Sequence, residues 1–505
     1  MLKKIYNGLF PILIVLVFVS CKKDLGHYDY QAINEVKGFT GIADVTAIYG
    51  KRFIMKPEPT FTQDNGLDTS KYSYEWTYIG SNGLGATRLY QMATTRYLDV
   101  QMSLIAGNYT FYYGVTDKAT GVKYRKSFIL TVKNEINEGW FLLCDVNGSA
   151  RLDMLSLEGT SFRTIPDLLG STSSGLVLKG RPKMVYNYEM GAQTGPGLTS
   201  SYAIYLSTDQ STERIDPENF KWQSTYTLKN EIYGAIPPNF YADAILRSGS
   251  TRSYMIGAGN AYNYDRVNQI RYSVPINFIT AEQKTFNVAP FIATDDLPNS
   301  AIPAIFYDTD NKRFVKHIGS SSACTLIPDP STGKLFSFTT GMDLVYMNYV
   351  PFNGGEVFSV LKEGATGNKY LARFNPSNNA QSYYAQIVGT DINLAENFAV
   401  SPDLGYLFYN VGGKLYEYDM FLKTSKIMID KGTDKISLLK FQTFASTTKY
   451  PYANKLIICS YDPVKEEGKN GKMEMFTVPS INGDLVLLNS YSGFGKVKSL
   501  VYRTR

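Results

Sequence analysis

The chain has 505 residues but only two histidines, three tryptophans and four cysteines. Each scarcity removes a class of chemistry. His27 falls in a polar N-terminal stretch, so a Ser-His-Asp or Cys-His site has only His317 to serve as its base. His317 sits in Phe314–Val315–Lys316–His317–Ile318, the return strand of a hairpin, where it reads as a strand-face residue and not as a base. The chain contains no His-Glu-x-x-His helix, no Gly-x-Ser-x-Gly elbow and no phosphate-cradling glycine loop. No Lys/Arg run is dense enough to mark a nucleic-acid surface, and the net charge is only +6. Nucleic acid is therefore excluded as a partner, and no metal or cofactor is expected. Beyond Cys21 the cysteines are Cys144, Cys324 and Cys459, odd in number and far apart, which gives no disulfide framework. Cys144 and Cys459 each end an apolar run and read as small fillers in buried strands. A Cys144–Cys459 bridge closing a ring between first and last repeats is the alternative.

The N-terminus carries the strongest positive signal. Lys3 and Lys4 precede an apolar run from Leu9 to Val19, interrupted only by Pro11. Ser20 and Cys21 follow, then Lys22–Lys23–Asp24. The run is short of the roughly 20 residues of a spanning helix and fits the roughly 7–15-residue core of a cleaved signal. Residues 1–20 are thus predicted to be a lipoprotein signal peptide, with Cys21 the lipidated residue and 21–35 a tether. Two or more acyl chains anchor stably where one is marginal. The expected location is the outer membrane, lipid-anchored, at the cell surface, with the membrane itself a partner.

From about Val36 to Lys133 the pattern is all-β. Tyr72, Tyr74, Trp76 and Tyr78 alternate with Ser73, Glu75 and Thr77, and Tyr109, Phe111, Tyr113 and Val115 repeat the period before a turn at Asp117–Gly121. About a hundred residues of short strands around one Trp predict an immunoglobulin-like sandwich over 36–133. The run Gly107–Asn108–Tyr109–Thr110–Phe111–Tyr112–Tyr113–Gly114–Val115–Thr116–Asp117 resembles the G-x-Y-x-V-x-L-x-V-x-D strand of PKD domains, and Trp76 matches their central tryptophan. Tyr and Gly stand where that strand has small or β-branched residues. The opening from Cys21 through Tyr28–Asp29–Tyr30 to Ile33–Asn34–Glu35 resembles the start of the PKD-like lipoproteins of Bacteroidetes. The resemblance implies an accessory role beside SusC/SusD-like outer-membrane importers in nutrient capture.

After Asn134 strand pairs recur. They begin near Phe141, Tyr202, Tyr254, Ala304, Val357, Tyr406 and Leu456, roughly every 50 residues, the spacing of propeller blades. A strand pair cannot bury both faces alone, but blades around an axis can. Residues 137–505 are therefore predicted to form a β-propeller of about seven blades, and the whole chain is all-β.

Candidate sites are few. Asp308–Thr309–Asp310–Asn311 resembles a calcium loop but lacks its Gly and distal Glu, and Asp/Asn clusters also suit a tight hairpin. Paired carboxylates for a hydrolase need no spacing, so Asp and Glu, 45 in all, give no localised signal. Aromatic residues are abundant, with 39 Tyr and 28 Phe, and most are expected to fill strands. Tyr241, after Pro237–Pro238–Asn239–Phe240, Tyr262 and Tyr264 in a presumed 260–268 loop, and Tyr186 and Tyr188 before a Gly-rich stretch ending at Gly197 are the candidate ligand contacts, since loop Tyr and Asn bind at little entropic cost. The expected function is a surface-anchored accessory protein that binds a peptide or glycan oligomer for an importer. The scarcity of Trp platforms tilts toward peptide. A propeller hydrolase and a purely structural importer subunit are the alternatives.

Overall fold

The computed structural model describes residues 32–81, 87–189, 202–265, 271–298 and 300–504. The leader, Cys21, the first part of the tether and the Gly-rich stretch up to Gly197 lie outside the described residues. The chain divides into two compact units, the first ending at Val132 and the second running from Lys133 to the C-terminus.

The first unit is a β-sandwich. One sheet has five strands in the order Val45–Ile48, Lys123–Lys133, Gly107–Asp117, Tyr72–Ser81, Thr87–Ala93. Two small pairs, Val36–Thr40 with Glu58–Phe61 and Arg52–Met55 with Leu98–Gln101, complete it. The period-2 pattern is realised in burial. Tyr72, Tyr74, Trp76, Phe111, Tyr113 and Val115 face inward. Trp76 is fully buried, stacks at a tilt on Tyr113 with centroids 4.6 Å apart, and donates from Nε1 to the Thr95 carbonyl at 2.9 Å. The glycine in the Gly107–Asp117 strand has a local cause. Gly114 pairs with Glu75, and a Cβ there would sit 2.7 Å from Glu75 Cγ. The vacancy lets Glu75 reach Lys123 at 2.5 Å and Arg125 at 3.0 Å across the solvent face.

The second unit is a seven-bladed β-propeller. Blades five, six and seven are four-stranded and built from consecutive strands: Asp343–Val350 to Gln381–Gln386, Asn397–Val400 to Thr424–Asp430, and Lys435–Phe441 to Val486–Phe494. Blades two and three have three strands each, Pro182–Glu189 to Thr212–Ile215 and Ala244–Ser248 to Asn260–Asp265. Blade four has Ala304–Asp308, Arg313–His317 and Thr325–Leu326, and the irregular segment 288–293 bridges to its first strand at Val288–Asp308 and Ala293–Ile305. Blade one is closed from both ends of the domain. Gly139–Val146, Ser149–Glu158 and Ser161–Ile165 come from its start, and Lys496–Arg503 pairs with Gly139–Val146 as the fourth strand. The innermost strands of neighbouring blades touch one another. Val185 N donates to Ser499 Oγ at 3.0 Å, and Lys440 Nζ donates to the Leu500 carbonyl at 2.7 Å. They form the inner ring. Apolar clusters fill the spaces between blades, and that between blades seven and one includes Trp140, Cys144, Cys459, Met473 and Tyr502. Cys144, Cys324 and Cys459 are all buried free thiols, so the filler reading holds and the bridge is not made.

Four hairpins share one turn chemistry. Asp216, Asp308, Asn375 and Asp419 each accept, through the side-chain oxygen, the amides two and three residues on, at 2.8–3.3 Å. The residue four on then takes a positive φ: 59° at Phe220, 50° at Lys312, 62° at Asn379 and 54° at Lys423. The side chain substitutes for a backbone acceptor and holds the reversal tightly enough to force a non-glycine residue left-handed. Asp308 is the most committed of these. It is fully buried and also accepts from Asn311 Nδ2 and Arg313 Nε at 2.8 Å each. It is a turn residue, with both oxygens already occupied by N–H donors.

Glu417 is a buried carboxylate in a different condition. Neither of its oxygens has a hydrogen-bond partner among the described residues, and burial pushes its pKa up to about 7, with Lys426 opposing the shift. The folded state thus holds its proton where the unfolded chain, near 4.5, has released it. Between those two pH values folding binds a proton, so stability falls as pH rises and levels off above about 7. Glu417→Gln is expected to flatten that slope in chemical denaturation at pH 5 and pH 8; an unchanged slope would remove Glu417 as its source. Asp308→Ala is expected to cost about 3 kcal/mol, because it strips buried donors of their acceptor. Calcium or a chelator should leave the wild-type Tm where it is.

Candidate functional site

The inner strands of blades six, seven and one begin at Asn397, Lys435 and Lys496. Where they begin lies a cavity of about 450 Å³, lined by Glu396, Asn397, Gly412, Lys435, Ile436, Ser437, Tyr461, Lys496 and Lys498. A glycine turn places the blade-seven strand beside blade six. Gly412 has φ 56°, and a Cβ on Gly413 would fall within 2.3 Å of the Asp434 carbonyl, so only glycine lets the chain pass. Lys431 N and Ile436 N then donate to the Gly413 and Gly412 carbonyls at 3.0 Å each.

Two β-bulges aim side chains at this cavity. In the last strand Val497 pairs with Cys144 and Ser499 with Leu143, which leaves Lys498 as the extra residue. In blade seven Ile436 pairs with Ser460 and Leu438 with Cys459, which leaves Ser437 extra. A bulge redirects a side chain out of the regular alternation. Both redirected residues line the cavity.

The charges are unbalanced. The lining carries three lysines against one carboxylate, Glu396. Glu396 is engaged locally, accepting from Gly412 N at 3.1 Å and from Asn410 Nδ2 at 3.3 Å. Lys435, Lys496 and Lys498 form no ion pair among the described residues. Lys496 Nζ lies 4.4 Å from the Tyr461 ring centroid, a cation–π contact. Partial withdrawal from water, and then the Lys496 charge, lower the pKa of Lys498.

The far ends of the inner strands carry the opposite arrangement. Arg247 Nε donates to the Asp296 carbonyl at 2.7 Å, and Thr443 Oγ1 donates to Asp296 Oδ1 at 3.2 Å. Burial lowers the pKa of Lys440 to about 8, and the nearby Asp296 charge opposes the shift. Charges from blades three, four and seven answer one another there.

The candidate tyrosines do not meet in one place. Tyr186 and Tyr188 lie on the inner strand of blade two, not in a loop. Tyr186 accepts from Arg247 N at 3.0 Å, and the buried Tyr188 hydroxyl is hydrogen-bonded to Ser253 Oγ at 2.8 Å. Tyr241 is in an irregular segment, half-buried, with Lys183 Nζ 5.3 Å from its ring. The placement of Tyr262 and Tyr264 is corrected outright. Ala258 and Gly259, with φ of 50° and 72°, make a two-residue turn, so Asn260–Asp265 is already the return strand. Both tyrosines are buried in the core between blades two and three. His317 is buried as well. Its Nε2 donates to the Ser321 carbonyl at 2.6 Å, its Nδ1 accepts from Tyr254 Oη at 2.9 Å, and burial lowers its pKa. The neutral ring is a structural link. Among the described residues, no group of three or more His, Cys, Asp or Glu is placed to hold a metal ion.

Residues 21–182 match the PKD-like family. No curated protein matches the chain. Among solved structures, a quinonprotein alcohol dehydrogenase-like protein from Bacteroides thetaiotaomicron is similar at 11% identity and a TM-score of 0.42, over 94% of this chain and 100% of that one. A putative 6-phosphogluconolactonase from Bacteroides uniformis is similar at 10% identity and a TM-score of 0.43, over 73% and 100%. A DUF4784 family protein from Bacteroides caccae is similar at 9% identity and a TM-score of 0.33, over 93% and 99%.

The Tyr262→Ala, Tyr264→Ala double variant is expected to lose stability, by about 3–5 kcal/mol for each large aromatic removed from a core. Equilibrium unfolding measures this. An unaltered midpoint would return both residues to the surface.

Proposed function

We propose that this protein is a lipid-anchored accessory binding protein of an outer-membrane uptake system, in which the propeller contacts a peptide or glycan oligomer. The observation that carries this reading is the coincidence at Cys21. The match to the PKD-like family begins at the residue where the apolar leader gives way to polar sequence. That position suits a lipidated first residue of the mature chain, and the acyl chains supply the membrane affinity. The propeller cavity supports binding over carboxylate-pair hydrolysis. Its described lining offers one carboxylate, already engaged with a turn, beside three lysines. The SusC/SusD-like importer follows from the family resemblance and is the proposed partner.

Cells fed a clickable fatty acid are expected to label the wild-type protein and not Cys21→Ala, with the variant leaving the membrane fraction. Label retained on Cys21→Ala would defeat the anchor. Detergent extraction of native membranes is expected to co-purify an importer with the wild-type protein; recovery of the protein alone would defeat the accessory role.

A further inference from the structure

The inner-strand lysines carry an inference beyond binding in general. Lys435, Lys496 and Lys498 converge on one cavity from two blades, and the single carboxylate in the lining is held by Gly412 and Asn410. Even with Asp145, which pairs across the strand with Lys496 and acts on Lys498, counted beside Glu396, the cations outnumber the carboxylates there by three to two. Like charges gathered in one concavity repel, and folding alone gives no return for that repulsion. Elsewhere in the propeller a lone cation finds a carboxylate or a carbonyl, as Lys369 and Lys229 find the Ile392 and Pro238 carbonyls. Lys431 bonds Glu474, Lys312 bonds Asp343 at 2.8 Å, and Arg373 bonds Glu356 at 2.5 Å. The bulge at Lys498 gives up a ladder position and puts its ammonium on the wall that Lys496 lines.

We propose that this cavity binds a multiply charged oxyanion, a sulfate or phosphate group carried by the captured ligand. The inference rests on the reading of the propeller as the binding module and names the chemistry that module selects. Lysines are compact point charges with rotatable donors and lack the planar fork that favours a carboxylate. Three of them around one cavity respond to total charge, so a dianion gains more than a monoanion. Ser437 Oγ already donates to the Cys459 carbonyl at 3.4 Å and supplies only a neutral wall, and Tyr461 holds Lys496 by its ring face without neutralising it.

The probes are sodium sulfate, phosphate and acetate, titrated by calorimetry into the chain from Lys22 onward at constant ionic strength. Saturable binding of sulfate or phosphate, with acetate weaker, is expected. The Lys435→Gln, Lys496→Gln, Lys498→Gln variant should lose about fivefold in affinity per charge removed while its Tm stays within a few degrees of wild type. The corresponding triple Arg variant should still bind. A preference for sulfate or for phosphate in the wild type identifies which ester the ligand carries. Substitution of the exposed pair Lys465 and Lys469 by Gln serves as the control and should leave binding intact. Absence of saturable binding, or equal binding by the triple Gln variant, overturns the anion site. Either result leaves the anchor and importer measurements on Cys21 standing, so the two readings fail separately.

Discussion

The pairing of Lys496–Arg503 with Gly139–Val146 is the contact on which the second unit depends. A propeller blade has an inner edge, and blade one obtains its inner strand from the far end of the chain. Without that strand the inner ring has a gap between blades seven and two, and Val497, Leu500 and Tyr502 leave the core that blades one and seven share. The remaining blades would expose the apolar faces that closure buries, and burial of such faces is the main favourable term in folding. Closure also shapes the candidate site. Lys496 and Lys498 lie at the start of the same strand, so the cavity is complete only once the ring is shut.

The seven repeats were legible because of which strands carry a clear pattern. The pair beginning at Tyr254 was read across a 260–268 loop that is instead its return strand, and the other six correspond to adjacent central strands of a blade. Those strands are buried on both faces. Glu356–Lys362 is buried at every position but its last, and Gly139–Val146 at its first six. Such strands read as continuous apolar runs bounded by turn residues. Inner and outer strands are half-wetted and read weakly. The outer strand Gln381–Gln386 has no fully buried residue, and segment 288–293 contains Pro290 and reads as loop. The cavity lysines sit on inner strands and were missed for that reason. The pair Lys496–Val497–Lys498 was visible, but its register against Cys144 was not, and the bulge decides where Lys498 points.

The tyrosines failed as a ligand patch for a related reason. A Tyr within four residues of Gly and Asn reads as a loop residue, yet a turn whose two central residues both accept positive φ reverses the chain at once. Gly257–Ala258–Gly259–Asn260 spends two residues on the reversal, and Tyr262 and Tyr264 are already in the sheet. In the sandwich the reverse held. Trp76, its alternating neighbours and the Asp117 turn were each readable from local pattern, because a small sheet with one buried face shows its period plainly.

Electrostatics separates the two ends of the inner ring. At the far end, burial has been met with partners. Arg247, Asp296, Lys440 and Thr443 engage one another or a carbonyl, and the lowered pKa of Lys440 is the residue of that compromise. At the near end Lys435, Lys496 and Lys498 keep access to water and form no ion pair among the described residues, with Lys496 resting on the Tyr461 ring. The two ends of the same ring are thus treated differently, with buried charged groups held by partners at one and water-accessible lysines without an ion pair at the other, and the proposed anion site draws on that difference.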